Sequence, residues 1–281
     1  MEIFKKIAPF RAFLKEIRGT GKSIGLVPTM GALHKGHLAL IKTSQAENSL
    51  TVCSIYVNPT QFNNPVDLQK YPRTLDKDVD LLEKVGCDVV FCPDNDEMYE
   101  GESQLHFDFG VLDKVMEGRF RPGHFSGVAL VVSKFFNIVL PDNAYFGQKD
   151  WQQFAIIKKV VEELKFNIQL HSIPTYREHD GLAMSSRNLR LSGVQREKAT
   201  VFYHALMAAK DQLNHGKDVR DVKLLVNNMI NGTQDVRLEY FEVADSTNLN
   251  VLDFVNGAKK PILCIAGYVG DVRLIDNTFL D

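Results

Sequence analysis

The sequence has few cysteines, no long apolar run and no excess of charge of one sign. Its 4 cysteines are scattered through 281 residues, and even Cys87 and Cys92 are not spaced as a CxxC pair, which disfavours a zinc ribbon. Each cysteine lies in an apolar run such as VCSIYV or ILCIAGYV. A free thiol in such a run behaves as a small hydrophobe, so we expect all of them to be buried.

The missing apolar runs and the balanced charge restrict the class of protein. No stretch approaches the roughly 18 uncharged apolar residues of a membrane helix, and MEIFKKIAPF lacks the features of a secretory signal, so we expect a cytoplasmic protein with no membrane partner. Lys and Arg total 33 against 35 Asp and Glu. This balance disfavours a uniformly basic, nucleic-acid-binding chain.

Short apolar runs alternate with helical patterns through the first part of the chain. Strands are predicted at residues 24–27, 50–57, 88–92, 144–146 and 168–173, and helices at 38–47, 76–85, 128–139 and 151–164. Strands joined by helical crossovers pair in parallel. We therefore predict an α/β fold in which residues 1–176 form a Rossmann-like parallel-sheet domain.

The pattern changes after Pro174. Helices are predicted at about 194–213 and 219–230, strands at 237–243, 261–268 and 272–275, and a loop at 251–260. Helices followed by strands are typical of an α+β unit. Residues 177–281 are thus expected to form a smaller C-terminal domain that acts as a lid, with a cleft between the two domains.

The segment from Arg18 to Ser23, RGTGKS, resembles the end of a phosphate-binding P-loop. The pattern GxxxxGK[ST] requires glycine where this chain has Glu16, and it should follow a strand rather than precede one. A turn before the first predicted strand is the better interpretation.

The segment PTMGALHKGH, which ends at His37, lies where a predicted strand passes into a predicted helix. Backbone N–H groups and the helix dipole favour phosphate at such a position. Two imidazoles three residues apart, His34 and His37, are able to donate hydrogen bonds to phosphate oxygens. The alternatives are incidental histidines at a helix start, or an HxxH metal pair that needs further ligands.

Further motifs occur in order along the chain. They are VNPTQF (57–62), YPRT (71–74), RPGHF (121–125), FGQKDWQQ (146–153), DGLAMSSRN (180–188) and RLIDN (273–277). Together with the HxGH segment they resemble the pantothenate synthetase family, which belongs to the nucleotidyltransferase superfamily with the HIGH-type motif. The resemblance covers essentially the whole chain.

The resemblance implies a ligase that condenses (R)-pantoate with β-alanine. ATP is consumed with Mg²⁺, an enzyme-bound pantoyl adenylate is the intermediate, and pantothenate, AMP and pyrophosphate are the products, within coenzyme A biosynthesis. It also implies a homodimer whose partners are small-molecule substrates rather than nucleic acid or membrane.

The resemblance further implies the site residues, with His37 as the proton donor. The implied catalytic residues are His37, His34, Lys149, Ser185, Ser186 and Arg187. Its ATP contacts are Met30, Gly31, Ala32, Leu33, His34, Lys35, Gly36, His37, Gly147, Gln148, Lys149, Asp150, Tyr176, Met184, Ser185, Ser186 and Arg187. The implied pantoate contacts are Gln61 and Gln153, with Gln61 also near β-alanine. We add Asn58, Met30 and His124 as candidates for the same site, with a hydrogen-bonded core histidine as the alternative for His124.

Alternative interpretations of single residues stay open. Ser185 or Ser186 is also suited to capping a helix, as is Asp150, and Gln152 is better explained as a buried glutamine satisfied by the backbone. Asp76 and Asp78 are possible but unassigned magnesium ligands. For the whole chain, the alternatives are another nucleotidyltransferase that transfers AMP or CMP, and a catalytically inactive nucleotide- or tRNA-binding module.

Overall fold

The computed structural model describes residues 1–101, 103–255 and 260–281. The predicted loop at 251–260 therefore falls partly on residues 256–259, which lie outside the described residues. The chain divides into two compact units. The first comprises Met1–Phe109, Arg121–Gly147 and Ile156–Pro174, and the second comprises Gly110–Phe120, Gln148–Ala155 and Thr175–Asp281.

The element order alternates strands with helices before it ends in three consecutive strands. The strands are β1 (Glu2–Phe4), β2 (Ile24–Thr29), β3 (Leu50–Ile55), β4 (Val89–Phe91), β5 (Asn143–Gly147), β6 (Gln169–Ile173), β7 (Val236–Asp245), β8 (Pro261–Val269) and β9 (Val272–Phe279). The helices are α1 (Ile7–Gly19), α2 (Lys35–Glu47), α3 (Pro65–Lys70), α4 (Leu75–Lys84), α5 (Asn95–Met98), α6 (Met116–Phe120), α7 (His124–Val139), α8 (Trp151–Leu164), α9 (Gly193–Lys198), α10 (Val201–Asn214) and α11 (Val219–Asn231).

The first unit contains a parallel sheet of 6 strands in the order β1-β4-β3-β2-β5-β6. The chain runs outward from β2 through β3, and later returns to place β5 on the other side of β2. The strand order therefore reverses between β2 and β5. In open α/β sheets, ligands bind outside the carboxyl ends of the strands at such a reversal, which is where the loop from β2 to α2 lies.

Both faces of this sheet are covered. Val27, Cys53 and Val90 point to one face, where they pack with Ile41 of α2 and Leu82 of α4. Successive residues of a strand face opposite sides of the sheet. On the other face, the ring centroid of Phe91 lies 4.6 Å from that of Phe10 in α1 and 6.2 Å from that of Phe135 in α7.

The second unit contains an antiparallel sheet of 3 strands in the order β7-β8-β9. Its buried core joins this sheet to α10 and α11, as Phe202, Val222, Val226, Leu263 and Ile265 illustrate. A Rossmann-like parallel sheet and a smaller α+β unit confirm the predicted fold class. The predicted domain boundary between residues 176 and 177 stays a prediction.

The predicted elements match the structure where apolar periodicity is strong. The predicted helix at 194–213 is instead two helices, α9 and α10, because the Thr200 hydroxyl donates to the Glu197 carbonyl oxygen at 2.7 Å and so competes with the helical ladder. The segment around RGTGKS is a turn between α1 and β2, with Gly21 at φ 76°. None of the helices in the described ranges is long and apolar enough to cross a membrane.

All four cysteines are free and buried, as their apolar surroundings indicated. Burial raises the pKa of Cys87 to about 11, and burial also raises the pKa values of Cys53, Cys92 and Cys264. The thiolate is the reactive form of cysteine. Neither exposure nor ionisation therefore favours reaction of these side chains.

We expect a thiol reagent at about pH 8 to label no cysteine of the native protein while it labels all of them in denaturant, because burial suppresses both access and thiolate formation. Ellman's assay with and without guanidinium measures this difference. Rapid labelling of any thiol in the native protein would contradict the packing described.

Candidate active site

The loop from β2 to α2 carries the HxGH segment through two successive left-handed residues. Gly31 has φ 77° and Ala32 has φ 49°. A Cβ at Gly31 would lie 3.0 Å from an Asp78 carboxylate oxygen and 3.2 Å from an Ile55 methyl carbon, so glycine suits both the conformation and the space. Ala32 tolerates the same region only at a cost of roughly 1–3 kcal/mol. Surrounding contacts have to offset that cost.

Asp78, in the first turn of α4, makes the strongest of those contacts. Its carboxylate accepts the backbone N–H of Ala32 at 2.9 Å and that of Leu33 at 2.7 Å, and the Thr74 hydroxyl donates to it at 3.1 Å. The side chain is only 1% exposed. An ionised carboxylate that receives several N–H groups is a strong, short-range restraint on the backbone.

The amides on either side complete the pattern. The Gly31 N–H donates to the Thr29 hydroxyl oxygen at 3.2 Å, and the His34 N–H donates to Nδ1 of His37 at 3.3 Å. Four consecutive amides, those of residues 31–34, thus donate to protein acceptors. These amides are therefore engaged by the protein in this conformation.

The two histidines lie together with their rings 4.0 Å apart between centroids. Because Nδ1 of His37 accepts a hydrogen bond, the proton of the neutral ring is on Nε2. The residue is therefore held as a donor through Nε2. His34 immediately precedes α2 and has extended backbone.

A second cluster follows β3 in the first unit. The Asn58 amide donates to Gln61 Oε1 at 3.2 Å and to the Gly127 carbonyl at 3.1 Å, and its oxygen accepts the hydroxyls of Tyr99 at 2.8 Å and Thr60 at 3.1 Å. These contacts use the whole hydrogen-bonding capacity of a primary amide. The hydrogen bond from Asn58 to Gln61 Oε1 fixes the orientation of the Gln61 amide. The NH₂ group of that amide contacts the Met30 sulfur at 2.9 Å.

His124 supports the backbone of Gln61. Its Nδ1 contacts the Gln61 carbonyl oxygen at 2.8 Å, and Arg121 contacts its Nε2 at 3.1 Å. Since an arginine only donates, Nε2 accepts and Nδ1 carries the proton. One helical turn further, a Cβ at Gly127 would lie 2.3 Å from the Thr60 carbonyl oxygen. Helix α7 thus approaches the turn at Gln61 through glycine.

In the second unit, the segment from Gln148 to Asp150 is held through the RLIDN motif. The Asn277 side-chain NH₂ donates to the carbonyl oxygens of Gln148 at 2.9 Å and Lys149 at 2.7 Å. The Lys149 ammonium lies 3.7 Å from the Asp150 carboxylate. These contacts restrain the segment from Gln148 to Asp150.

Gln152 confirms the structural interpretation made from the sequence. Its NH₂ donates to the Leu112 and Val115 carbonyls at 2.8 and 2.9 Å, and its oxygen accepts the Glu117 N–H at 3.0 Å. Glu117 in turn accepts two hydrogen bonds from Arg273, at 2.8 and 2.7 Å. Gln152 and Arg273 therefore support the second unit rather than present groups to a ligand.

In the DGLAMSSRN segment of the second unit, Ser185 caps a short 3₁₀ helix, Ser186–Arg190. The Ser185 hydroxyl oxygen accepts the Arg187 N–H at 3.3 Å, and Ser186 is buried at 6% exposure. The Tyr176 carbonyl accepts the Met184 N–H at 3.0 Å. Next to Tyr176, the Arg177 guanidinium binds the Asp276 carboxylate in a bidentate contact of 2.6 and 3.0 Å.

The structure thus groups the predicted site residues within each unit. Those of the first unit are Met30, Gly31, Ala32, Leu33, His34, Lys35, Gly36, His37, Asn58, Gln61, His124 and Gly147, and those of the second are Gln148, Lys149, Asp150, Gln153, Tyr176, Met184, Ser185, Ser186 and Arg187. Sequence reasoning missed the structural role of Asp78, Tyr99 and Asn277. One signal was available for Asp78, since it interrupts the apolar stripe of α4 that includes Leu82.

The described ranges contain no group of three or more His, Cys, Asp or Glu side chains placed to hold a metal ion. Both oxygens of Asp78 already accept hydrogen bonds from the protein, and Asp76 is exposed in the first turn of α4. These residues do not form a protein cage for Mg²⁺. They also do not supply the further ligands that a metal pair of His34 and His37 requires.

We expect Asn277→Ala to destabilise the protein by about 1–3 kcal/mol, because two carbonyl oxygens lose their donor. Urea denaturation measures the free energy of unfolding, and hydrogen exchange at Lys149 and Trp151 should become faster. Asn231→Ala at the exposed end of α11 is the control, with a change within about 0.5 kcal/mol. Equal stability of the two variants would contradict the role of Asn277.

The comparisons with known proteins agree over almost the whole chain. The sequence profile described as Pantoate-beta-alanine ligase matches residues 2–279. The pantothenate synthetase of Cytophaga hutchinsonii is 46% identical over 272 residues, covering 96% of this chain and 96% of that protein. The pantothenate synthetase of Bacteroides fragilis is 46% identical over 278 residues, covering 99% of this chain and 98% of that protein.

Solved structures give the same result. The crystal structure of pantothenate synthetase from Thermus thermophilus matches with a TM-score of 0.91 at 39% identity, over 99% of each chain. The pantoate-beta-alanine ligase of Francisella tularensis, complexed with beta-gamma ATP and beta-alanine, matches with a TM-score of 0.84 at 34% identity, over 99% of this chain and 97% of that one. The chain therefore belongs to the pantoate-beta-alanine ligase family.

Proposed function

We propose that this chain is an ATP-dependent ligase that joins (R)-pantoate to β-alanine and releases pantothenate, AMP and pyrophosphate. The observation that carries the proposal is family membership over residues 2–279, with the HxGH loop at the reversal of strand order in the sheet. The reaction supplies pantothenate for coenzyme A biosynthesis.

The first chemical step is proposed to be adenylation of pantoate. A pantoate carboxylate oxygen attacks the α-phosphorus of ATP, a new P–O bond forms, and the bond to pyrophosphate breaks. Negative charge grows on the departing pyrophosphate, and preorganised donors stabilise such charge. His34 and His37 are proposed to supply it with donors, since His37 is held with its proton on Nε2.

Residues of the second unit are proposed to act on the same phosphates. Lys149 and Arg187 supply positive charge, and Ser185 and Ser186 supply hydroxyl donors. We also propose ATP contacts for Gln148, Asp150, Met184 and the backbone of Tyr176, as the family resemblance implies. The contacts of Asn277 with the Gln148 and Lys149 carbonyls support this proposal, because they restrain the segment.

The second step is proposed to be amide formation. The β-alanine nitrogen attacks the acyl carbon of pantoyl adenylate, the C–N bond forms, AMP leaves with the electrons of the C–O bond, and the nitrogen loses a proton. Gln61 and Gln153 are proposed to contact pantoate, with Gln61 also near β-alanine and Met30 against the gem-dimethyl group. Asn58 and His124 act through Gln61, because their polar groups are engaged around it.

Further properties that the family resemblance implies are proposed here too. Magnesium at ATP is often held by phosphate and water oxygens, so we propose that Mg²⁺ arrives with the nucleotide. We also propose a homodimer in the cytoplasm. A magnesium titration of activity, light scattering and cell fractionation test these points.

The test of function is nucleotide product analysis with ATP, Mg²⁺ and pantoate, with and without β-alanine. We expect sustained formation of AMP and pyrophosphate only with both substrates. His37→Asn should lower the rate by roughly 10²- to 10³-fold, the usual effect of removing one donor to developing negative charge, since asparagine offers an acceptor to the His34 N–H but lacks Nε2. His215→Asn, at an exposed site after α10, is the matched control.

Each other outcome has a definite meaning. Formation of ADP would replace the adenylate with an acyl phosphate. No turnover with pantoate, but transfer of AMP or CMP to another acceptor, would favour the alternative nucleotidyltransferase. Absence of all turnover would favour an inactive nucleotide-binding module. Near-normal turnover of His37→Asn would contradict the proposal that the His37 ring donates to the departing pyrophosphate.

We further propose that residues 177–281 act as a lid that excludes water from the adenylate. Hydrogen exchange at residues 181–191 should slow when ATP and pantoate are both present, while exchange in α11 stays unchanged. Mass spectrometry of the full chain measures both segments. Equal exchange at 181–191 with and without substrates would contradict the lid.

A further inference from the structure

We propose that Asp78 is a positioning residue for the adenylation step, which acts by fixing the backbone that holds His37 in its Nε2–H form. This proposal rests on the proposed function. It assigns to Asp78 a role other than magnesium binding, and it connects the YPRT-containing segment before α4 with the HxGH segment after β2.

The Asp78 carboxylate uses both of its oxygens to hold the loop. Its two oxygens each receive one amide of adjacent loop residues, Ala32 at 2.9 Å on Oδ2 and Leu33 at 2.7 Å on Oδ1. The side chain is almost fully buried. A buried anion persists only where hydrogen bonds or charges compensate its desolvation, and here the compensating groups are the loop itself and Thr74.

The Asp78 contact stabilises a strained backbone conformation at Ala32. Ala32 has a left-handed backbone, φ 49°, which a residue with a Cβ adopts only when the surroundings over-determine it. Gly31, just before it, is in the same region with φ 77°. If one carboxylate contact is lost, we therefore expect the loop to relax toward backbone angles of lower energy.

The anchored amide of Leu33 is adjacent to the amide that binds the His37 ring. The Leu33 amide, bound to Asp78, is followed directly by the His34 amide, which donates to Nδ1 of His37 at 3.3 Å. If the peptide before His34 rotates, that donor leaves the ring. The His37 ring then loses the contact that selects its tautomer, and its Nε2 proton is no longer fixed for the phosphates.

An asparagine cannot replace this carboxylate. The two converging N–H groups need two acceptors, whereas an asparagine amide has one oxygen, and its NH₂ group would face the other loop amide. Asp78→Asn preserves the size of the side chain while it removes the negative charge and one of the two acceptor oxygens. It is therefore the sharpest variant for the proposal.

The experiment compares wild type, Asp78→Asn and Leu82→Ala in pyrophosphate exchange into ATP with pantoate present. Leu82 lies one turn later on α4 and is fully buried in the core, so its truncation controls for lost stability. We expect kcat of exchange to fall roughly 10- to 100-fold in Asp78→Asn, the scale of a misplaced reacting group, with KM for pantoate changed less than about threefold. Leu82→Ala should lower the melting temperature while kcat below melting stays close to wild type.

Nitrogen-15 NMR of the His37 ring supplies a readout that stability does not move. Wild type should show the Nε2–H tautomer, and Asp78→Asn should shift the ring toward a mixture of tautomers. Leu82→Ala should keep the wild-type signals. Unchanged tautomer signals in Asp78→Asn, or a kcat equal to that of Leu82→Ala, would overturn the proposal.

The outcomes separate this inference from the proposed function. Wild type that fails to exchange pyrophosphate refutes the function, whereas an active wild type with an unaffected Asp78→Asn refutes only the positioning role. If Asp78→Asn does not fold, Thr74→Val removes the hydroxyl that donates to the Asp78 carboxylate at 3.1 Å. It should then lower kcat and disturb the His37 tautomer, and a variant with wild-type values in both would overturn the proposal.

Discussion

The turn from β2 into α2 depends on one carboxylate that satisfies two buried amides. A loop that redirects a central strand into a helix leaves N–H groups away from water, and an unpaired buried donor is costly. Asp78 resolves this constraint for Ala32 and Leu33. Gly31 and the anchored Ala32 have left-handed backbone angles, and the His34 amide that follows donates to His37.

Topology places this turn at the reversal of strand order in the parallel sheet. The strand order reverses between β2 and β5, and open α/β sheets place their ligands outside the carboxyl ends of the strands at such a reversal. The core beneath is continuous, because Ile41 of α2 and Leu82 of α4 both pack on the same face of the sheet. The helix that carries the histidines and the helix that carries Asp78 therefore share one rigid support.

The sequence predicted the parallel sheet because it depends on local pattern, whereas ATP binding by the loop after β2 stays a prediction. Apolar periodicity marks β2, β3 and α8, and the HxGH motif marks the loop itself. The break at Thr200 was missed because a hydroxyl to carbonyl contact leaves no trace in periodicity. Helix α1 was not predicted, although the first turn of a helix tolerates a proline such as Pro9. Asp78 was considered only as a metal ligand, because its partners are amides 46 and 45 residues away in sequence.

Motif residues that look alike in sequence divide into two physical roles. The side-chain amides of Gln152 and Asn58 make all of their hydrogen bonds to protein groups. They therefore position neighbouring residues rather than present groups to a ligand. Gln61 differs, because Asn58 fixes its oxygen and thereby aims its NH₂ group. Preorganised donors of this kind need no rearrangement when charge develops. Saturated amides are thus the means by which this fold holds reactive side chains in place.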